Sequence, residues 1–335
     1  DIEKTLVDVF TMSSISTSLD KSPTILSFRV PLSGDKKLIN TIFSAYNTFV
    51  KATPAPKIGL VVDYEKGKVS DHSDILAQIV SHGGNVTFSK GMSSTNAIRH
   101  SSKTSEPSIK LGSLSINLPR LALESSKDET YFRARLVLLM KPAIAAMVTR
   151  NKDVSDLIRR GVNPILAEKT QFMQKNNSSL ILNLVGLKEA VYKILGHKED
   201  KEGKEILNKV LETAVDIAHK KGQEMGIDVS IAMVDSDELT RFVILDSEKY
   251  GKNSIMDVLD GDLYSQGLEL NYVELGKLTA KSEIISDYNK ISKILDGGLL
   301  VKLPFDPKAK EDDIKKAIEK ASSLISSFKP IKHTK

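Results

Sequence analysis

Short apolar runs alternate along this chain with longer segments in which apolar residues recur every three or four positions. The runs are rich in β-branched residues and predict strands, whereas the helical spacing predicts amphipathic helices that pack on a sheet. The predicted strands are 24–30, 58–63, 85–88, 112–118, 178–185, 229–234, 241–245, 268–272 and 299–303. The predicted helices are 36–50, 73–82, 187–195, 207–218, 275–295 and 314–325. This alternation, without a break in composition, predicts a single α/β domain over residues 1–328.

A longer helical region follows the predicted strand 112–118. Its apolar stripe consists of Phe132, Leu136, Leu139, Met140, Ala143 and Met147. Pro142 lies inside this stripe, and we expect a kink or break there because proline lacks the N–H that continues a helix. A separate helix is predicted over 154–160, and residues 329–335 are predicted to form a polar tail that frays.

Residues 89–111 differ from the rest of the chain. They are rich in Ser, Thr, Lys and Gly, and their apolar residues show no period. A loop of this length inside a compact domain is usually functional or disordered. We therefore expect a long finger-type loop here.

Composition narrows the class of protein. The 335 residues contain no cysteine, which excludes disulfides, thiolate metal sites and a cysteine nucleophile from this sequence. The longest apolar runs are much shorter than a membrane span, and no signal peptide is visible, although residues before Asp1 are left open. We expect a cytoplasmic protein that does not bind membranes.

The charge is mildly basic and concentrated in the first part of the chain. The net charge is +5, and residues 1–150 hold 19 basic against 13 acidic side chains. Such a bias is typical of a soluble surface, and also of a protein that binds nucleic acid or a ribonucleoprotein. The residues that we predict to reach such a partner are Arg99, His100, Lys103 and Lys110.

Two loop positions are candidates for binding phosphate. Gly186 and Leu187 lie between a strand and a helix, where free backbone N–H groups can hold an anion, although an ordinary turn explains them as well. Gly297 and Gly298 could admit a phosphate, or they could simply end the preceding helix.

Polar residues at a strand end offer a third candidate. Asn117 and Arg120 flank Pro119, and they either contact substrate or phosphate or only fix the exit of the strand.

The sequence offers little support for a metal site or a hydrolase active site. Asp235, Asp237 and Glu238 could coordinate a hard cation, but a solvated acidic turn is the simpler interpretation. The six histidines show no paired metal-binding spacing, so no metal site is predicted. Ser93 and Ser94 lack the glycine-flanked turn of a hydrolase nucleophile.

Four segments, in order, resemble the anaerobic, glycyl-radical (class III) ribonucleotide reductases. Leu111–Leu123 is similar to the family's "GS…INLPRIA", and 178–190 to its "FSTIGIVGMNEA". Residues 235–251 are similar to "PAEGT..RFA..D...YG", and 294–301 to "YTGGT..H". The resemblance spans about residues 55–325.

The resemblance implies a ten-stranded α/β barrel of two antiparallel half-sheets, here incomplete in its first strands, with a finger loop at its centre. In that family a finger-loop cysteine becomes a thiyl radical that removes hydrogen from the ribose of a nucleotide. Gly91–Ser94 stands where that cysteine is expected, with Ser93 or Ser94 in its place. The family's ATP-cone and its glycyl-radical domain, which lies beside a zinc site, are not recognised in these residues.

A serine cannot carry the radical, since its O–H bond is much harder to break than S–H. We therefore predict a non-catalytic relative that binds or scaffolds a nucleotide or a polyanionic assembly and needs no cofactor. Two alternatives stay open: a reductase subunit whose radical cysteine and glycine lie on another chain, and a nucleotide sensor. The resemblance places Gly186 facing the nucleotide site, and a homodimer is left open.

Overall fold

The computed structural model is a mixed α/β fold that describes residues 2–19, 27–53, 58–90, 109–160, 178–236, 238–259 and 261–332. Its strands are β1 Ser27–Pro31, β2 Gly59–Asp63, β3 Val86–Ser89, β4 Ile109–Asn117, β5 Ser178–Val185, β6 Asp228–Met233, β7 Leu268–Glu269, β8 Gly298–Leu299, β9 Val301–Phe305 and β10 Ser327–Lys332. Its helices are α1 Ile2–Leu19, α2 Lys36–Ala52, α3 Ser73–Ser81, α4 Leu118–Glu124, α5 Glu129–Arg159, α6 Lys201–Met225, α7 Leu239–Tyr250, α8 Lys252–Met256, α9 Tyr272–Lys277, α10 Glu283–Ile294 and α11 Glu311–Leu324. A 3₁₀ turn covers Val69–His72, and a π-helical turn covers Glu189–Ile194.

The chain divides into two compact units that are discontinuous in sequence. The first comprises residues 1–94, 268–289 and 300–335, and the second comprises 95–267 and 290–299. Each unit contains one sheet, whereas the sequence pattern predicted a single domain. No composition break marks the division, because the chain leaves the first unit and later returns to it.

The first unit contains a six-stranded sheet in the order β1-β2-β3-β10-β9-β7. Its neighbouring strands are parallel except for β3 and β10, which run antiparallel. At that junction the rings of Phe88 and Phe328 stack with their centroids 4.6 Å apart. Both side chains are fully buried, so the junction lies in the core of the unit.

The second unit contains a four-stranded parallel sheet in the order β4-β5-β6-β8. Asn117 pairs with Val185, and Asn183 pairs with Ala232. Because the strands are parallel, the residues after β4, β5 and β6 meet at one edge of the sheet. Ligands of open α/β sheets bind at this carboxyl edge, which makes it the first place to search for a site.

Helix α5 is continuous through Pro142, and the separate helix predicted over 154–160 is its last part. Proline deprives the carbonyl of Leu138 of its helical hydrogen bond. Leu138 and Pro142 both lie on the exposed side of the helix, where water can satisfy that carbonyl. The buried stripe on the opposite side, which includes Met140 and Ile144, is therefore not interrupted.

Three other predictions differ from the structure, and one helix was not predicted. Residues 241–245 belong to helix α7 rather than to a strand, and 275–295 form two helices separated by residues 278–282. Helix α6 is longer than the predicted 207–218, and it ends at Gly226 in the left-handed conformation at φ +67°. Helix α1 was not predicted, because its Ser- and Thr-rich sequence shows little helical periodicity.

The predicted polar tail also differs, because residues 327–332 form β10 between β3 and β9. Pro330 fits this strand because β10 pairs with β3 only at Ser327 and Phe328. Proline therefore sits where one side of the strand needs no hydrogen bond. Residues 333–335 lie outside the described part of the chain.

Candidate functional site at the carboxyl edge of the four-stranded sheet

A fully buried carboxylate, Asp246 of α7, lies at the carboxyl edge of β4. Arg120 donates from Nε to its Oδ1 at 2.5 Å. Asn117 Nδ2 and the Tyr264 hydroxyl donate to its Oδ2 at 2.8 and 2.9 Å. Both carboxylate oxygens are thus occupied, as a buried charge requires.

Asn117 fixes the exit of β4, which was one of the two alternatives predicted for it. Its Oδ1 accepts a hydrogen bond from the Arg120 N–H at 3.1 Å and caps the first turn of α4, while its Nδ2 binds Asp246. Both ends of the amide are therefore used within the protein. Contact of Asn117 with a substrate remains a prediction, and the amide keeps a second N–H and a second lone pair for it.

Tyr264 stays protonated in this environment. Burial of its side chain and the negative charge of Asp246 raise the pKa of the hydroxyl well above its usual value. The cluster therefore consists of a fixed ion pair and two neutral donors. It is suited to hold β4, α4 and α7 together rather than to exchange protons.

Sequence reasoning matched Asp246 to the aspartate of the motif that residues 235–251 resemble but predicted no role for it, and it did not single out Tyr264. The signal for Asp246 was an acidic residue directly after the apolar run Phe242–Leu245. Its partners Asn117 and Arg120 are more than 120 positions away, so the pattern alone could not pair them.

Gly186 is required by close packing at the end of β5. Its φ is +71°, and an added Cβ would lie 2.3 Å from Cγ of Pro119. Its N–H donates to the Ser265 carbonyl at 2.9 Å, and the side chain of Leu187 is fully buried. The predicted anion cradle at these two residues therefore has one of its donors already engaged.

The Ser265 segment is held against the same turn by a second buried carboxylate. Glu189 accepts hydrogen bonds from the Ser265 N–H at 2.6 Å and from its hydroxyl at 2.5 Å. The loop after β5 is consequently tied to the residues before β7 on both sides of Gly186.

Gly297 and Gly298 lie at the start of β8, on the other side of the sheet from β4. Gly297 N–H donates to the Ile231 carbonyl at 2.8 Å, and an added Cβ would lie 2.6 Å from that oxygen. Gly298 has φ +109° and pairs with Ala232. Close approach to the backbone of β6 explains this pair of glycines, and phosphate binding there remains a prediction.

The remaining predicted site residues are not brought to this edge by the described part of the structure. Ser93, Ser94, Arg99, His100, Lys103 and Asp237 lie outside it, and Lys110 is described only as a backbone position in β4. Across the described residues, no group of three or more His, Asp or Glu side chains could hold a metal ion.

A cavity of about 620 Å³ opens beside β4. Arg120 and Glu124 of α4 and Arg135 of α5 bring charge to it. Its apolar lining comes from Leu114, Ile116, Leu121, Leu138, Leu139, Ala143 and Phe242. A volume of this size, with an apolar wall and a few converging polar groups, is typical of small-molecule sites.

Glu124 is the acidic group of this cavity. It pairs with Arg135 and accepts a hydrogen bond from Lys249 Nζ at 2.7 Å. Partial burial by itself raises the pKa of the carboxyl, but the hydrogen bonds and charges of Lys249 and Arg135 outweigh it and lower that pKa.

We predict that Glu124→Gln destabilises the protein more at neutral pH than in acid. Because the folded-state pKa of Glu124 is lowered, its contribution is complete above the ordinary glutamate pKa and disappears as the pH falls through the folded-state value. The variant should lose about 1 kcal/mol at pH 7 and less at pH 3, because the loss shrinks as the pH falls below the ordinary glutamate pKa. Urea unfolding of both proteins at the two pH values measures this.

Glu205→Gln, at an exposed position of α6, is the matched control and should equal the wild type at both pH values. An equal loss at pH 7 and pH 3 for Glu124→Gln would show that its charge is not the cause.

Comparison with known proteins agrees with the fold. The sequence profile of the family described as anaerobic ribonucleoside-triphosphate reductase matches residues 54–327. No significant match was found among curated proteins. No helix within the described residues has the length and apolar character needed to cross a membrane.

Three solved structures superimpose on 98% of the chain. The anaerobic ribonucleotide reductase from Thermotoga maritima with glycerol in the active site has a TM-score of 0.64 at 16% identity, and 59% of that chain is covered. The same enzyme in complex with dATP and CTP gives 0.63 at 17%, with 61% covered. A further structure, described as anaerobic ribonucleotide reductase, gives 0.63 at 17%, with 57% covered. The chain thus spans less than two thirds of the length of these relatives.

Proposed function

This chain belongs to the anaerobic ribonucleoside-triphosphate reductase family, and we propose that it is a non-catalytic member that binds a nucleotide or a larger polyanion. The observation that carries the proposal is the absence of cysteine from all 335 residues. The family match runs from residue 54 to 327 and therefore includes the segment 91–94, where the family resemblance places the radical cysteine.

Chemistry explains why this absence matters. A thiol titrates near pH 8.5 and has a weak S–H bond, whereas a serine hydroxyl does not ionise at useful pH and has a much stronger O–H bond. Ser93 and Ser94 consequently cannot form the radical that removes hydrogen from ribose. The inherited reaction is lost from these residues even where the surrounding fold is kept.

The contacts between the segments that resemble the family support the proposal that ligand binding is retained. Pro119 contacts Gly186, and Asn117 and Arg120 bind Asp246, so three of the four segments that carry the family resemblance are joined in one cluster. That cluster stabilises the carboxyl edge of the sheet. The T. maritima relative has been observed with dATP and CTP, which supports a nucleotide as the ligand.

The ten-stranded barrel is part of the same proposal. Ten strands in two sheets are present within the described residues, and the superposition on the solved reductases supports a related arrangement. The basic residues Arg99, His100, Lys103 and Lys110 are proposed to contact a polyanionic partner, with the sequence charge as support.

Calorimetric titration with ATP, CTP and dATP tests the binding half of this proposal. We expect saturable heats for at least one nucleotide, and weaker heats for inorganic triphosphate because it lacks the base and sugar. Flat titrations at millimolar concentrations of all three nucleotides would exclude a nucleotide ligand and leave only the polyanionic assembly.

A further inference from the structure

The cavity beside β4 contains guanidinium donors that have no acceptor among the described residues. Arg120 donates through Nε to Asp246, and no hydrogen bond from its two terminal NH₂ groups is found within the described residues. Nε of Arg135 is buried and, among the same residues, has no hydrogen-bond partner. The positive charge of Arg135 is therefore only partly compensated, while the terminal NH₂ groups of Arg120, whose side chain is 32% exposed, are the donors that an anion in the cavity can reach.

The charges around the cavity favour an anion. Three cationic side chains, Arg120, Arg135 and Lys249, face two carboxylates, Asp246 and Glu124. Asp246 is fully buried and forms an ion pair with Arg120, so the guanidinium is held in place before a ligand binds. Guanidinium groups bind carboxylate and phosphate oxygens through several parallel hydrogen bonds.

The apolar lining of the cavity is partly open to water, and Leu138 and Leu139 follow Arg135 on the same face of α5. Leu138 is 67% exposed and Leu139 is 41% exposed, although both are large apolar residues. Phe242 of α7 and Leu121 of α4 continue this lining. A ligand with an apolar body would cover the exposed leucines while its charged end reached the arginines.

We propose that this cavity binds a small amphipathic organic anion, in which an aliphatic body carries one phosphate or carboxylate group. The anionic group binds the terminal NH₂ groups of Arg120 beside the positive charge of Arg135, and the aliphatic body packs on Leu138 and Leu139. The cavity includes Asn117 and Arg120, two of the residues proposed to contact a nucleotide, but this ligand differs from a nucleotide because an apolar chain, rather than a base and ribose, supplies the contact area.

Calorimetry with octyl phosphate, below its micellar concentration, tests this site. Octyl phosphate should bind the wild type, whereas inorganic phosphate and octanol, which each carry half of the ligand, should bind at least about tenfold more weakly. Arg135→Gln and Leu138→Ser should each lower the affinity for octyl phosphate by about tenfold.

Two controls keep the test specific. Arg133→Gln removes a guanidinium from the same helix at a position that does not line the cavity, and it should bind like the wild type. Leu138→Ser alters an exposed side chain, so it should fold even if an arginine variant does not. Wild-type affinity in both Arg135→Gln and Leu138→Ser, or no binding to the wild type, overturns the proposal.

A second arm separates a free anion from a lipid headgroup. The protein should stay in the supernatant when it is sedimented with vesicles that contain phosphatidic acid. If the wild type pellets with the vesicles and Arg135→Gln does not, the ligand of this cavity is a lipid headgroup. If both proteins pellet equally, this cavity has no role in binding the vesicles. Failure of nucleotide titrations would not affect either arm, since the two ligands are tested separately.

Discussion

Asp246→Asn should be among the most damaging single substitutions in the second unit, with an expected loss of about 3 kcal/mol in the free energy of unfolding. The new amide would place its NH₂ group against the donors of Asn117 and Tyr264 or against Nε of Arg120, and Arg120 would lose its counter-charge in either orientation. The loss lies at the lower end for a broken buried pair because the Arg120 side chain is 32% exposed and keeps some hydration. Urea unfolding followed by circular dichroism measures it.

Two further variants locate the cause of that loss. Tyr264→Phe removes one donor without changing charge and should cost about 1 kcal/mol. Glu248→Gln changes an exposed carboxylate on the same helix and should stay within about 0.5 kcal/mol of the wild type. If Asp246→Asn had the same midpoint of urea unfolding as the wild type, this cluster would not be what holds β4, α4 and α7 together.

Gly186→Ala is the second substitution with a large expected effect, a loss of about 3 kcal/mol. The methyl group would lie 2.3 and 2.5 Å from two ring carbons of Pro119, and the φ of +71° disfavours any side chain. Relief would require movement of Pro119 in the first turn of α4, next to the Asn117 cap. Thermal and urea unfolding both report the change.

Gly196→Ala is the matched control for this prediction. Gly196 also has a positive φ, +83°, but no atom lies within 4 Å of an added Cβ. It should therefore cost only about 1 kcal/mol, the strain of the backbone alone. Equal losses at both positions would show that contact with Pro119 is unimportant.

Much of the fold could be predicted from the pattern of apolar residues. Residues 58–63 and 180–185 are buried on both faces of their strands and form nearly continuous apolar runs, as the sequence pattern predicted. The failure at 241–245 has a physical reason. Four apolar residues in succession resemble a strand, but the two buried residues of α7 are Leu239 and Asp246, seven positions apart and therefore on one helical face.

The candidate site could be predicted only in part. Asn117, Arg120 and Gly186 were identified because each stands next to a strand end, where turns and caps are recognisable from local sequence. Asp246 and Tyr264 could not be identified in this way, since their role depends on pairing across the sheet. The cavity residues Arg135 and Leu138 lie on a helix whose pattern shows only which face is apolar.

The proposed loss of chemistry is tested most directly by a reductase assay under strict anaerobiosis. The protein is incubated with an activating enzyme, a reductant, radiolabelled CTP and dATP, and the recovered nucleotide is separated by chromatography, with an active family member as the positive control. We predict that all CTP is recovered unreduced, because no residue of this sequence can form a thiyl radical. Formation of deoxycytidine nucleotide above the level of a protein-free control would contradict the account.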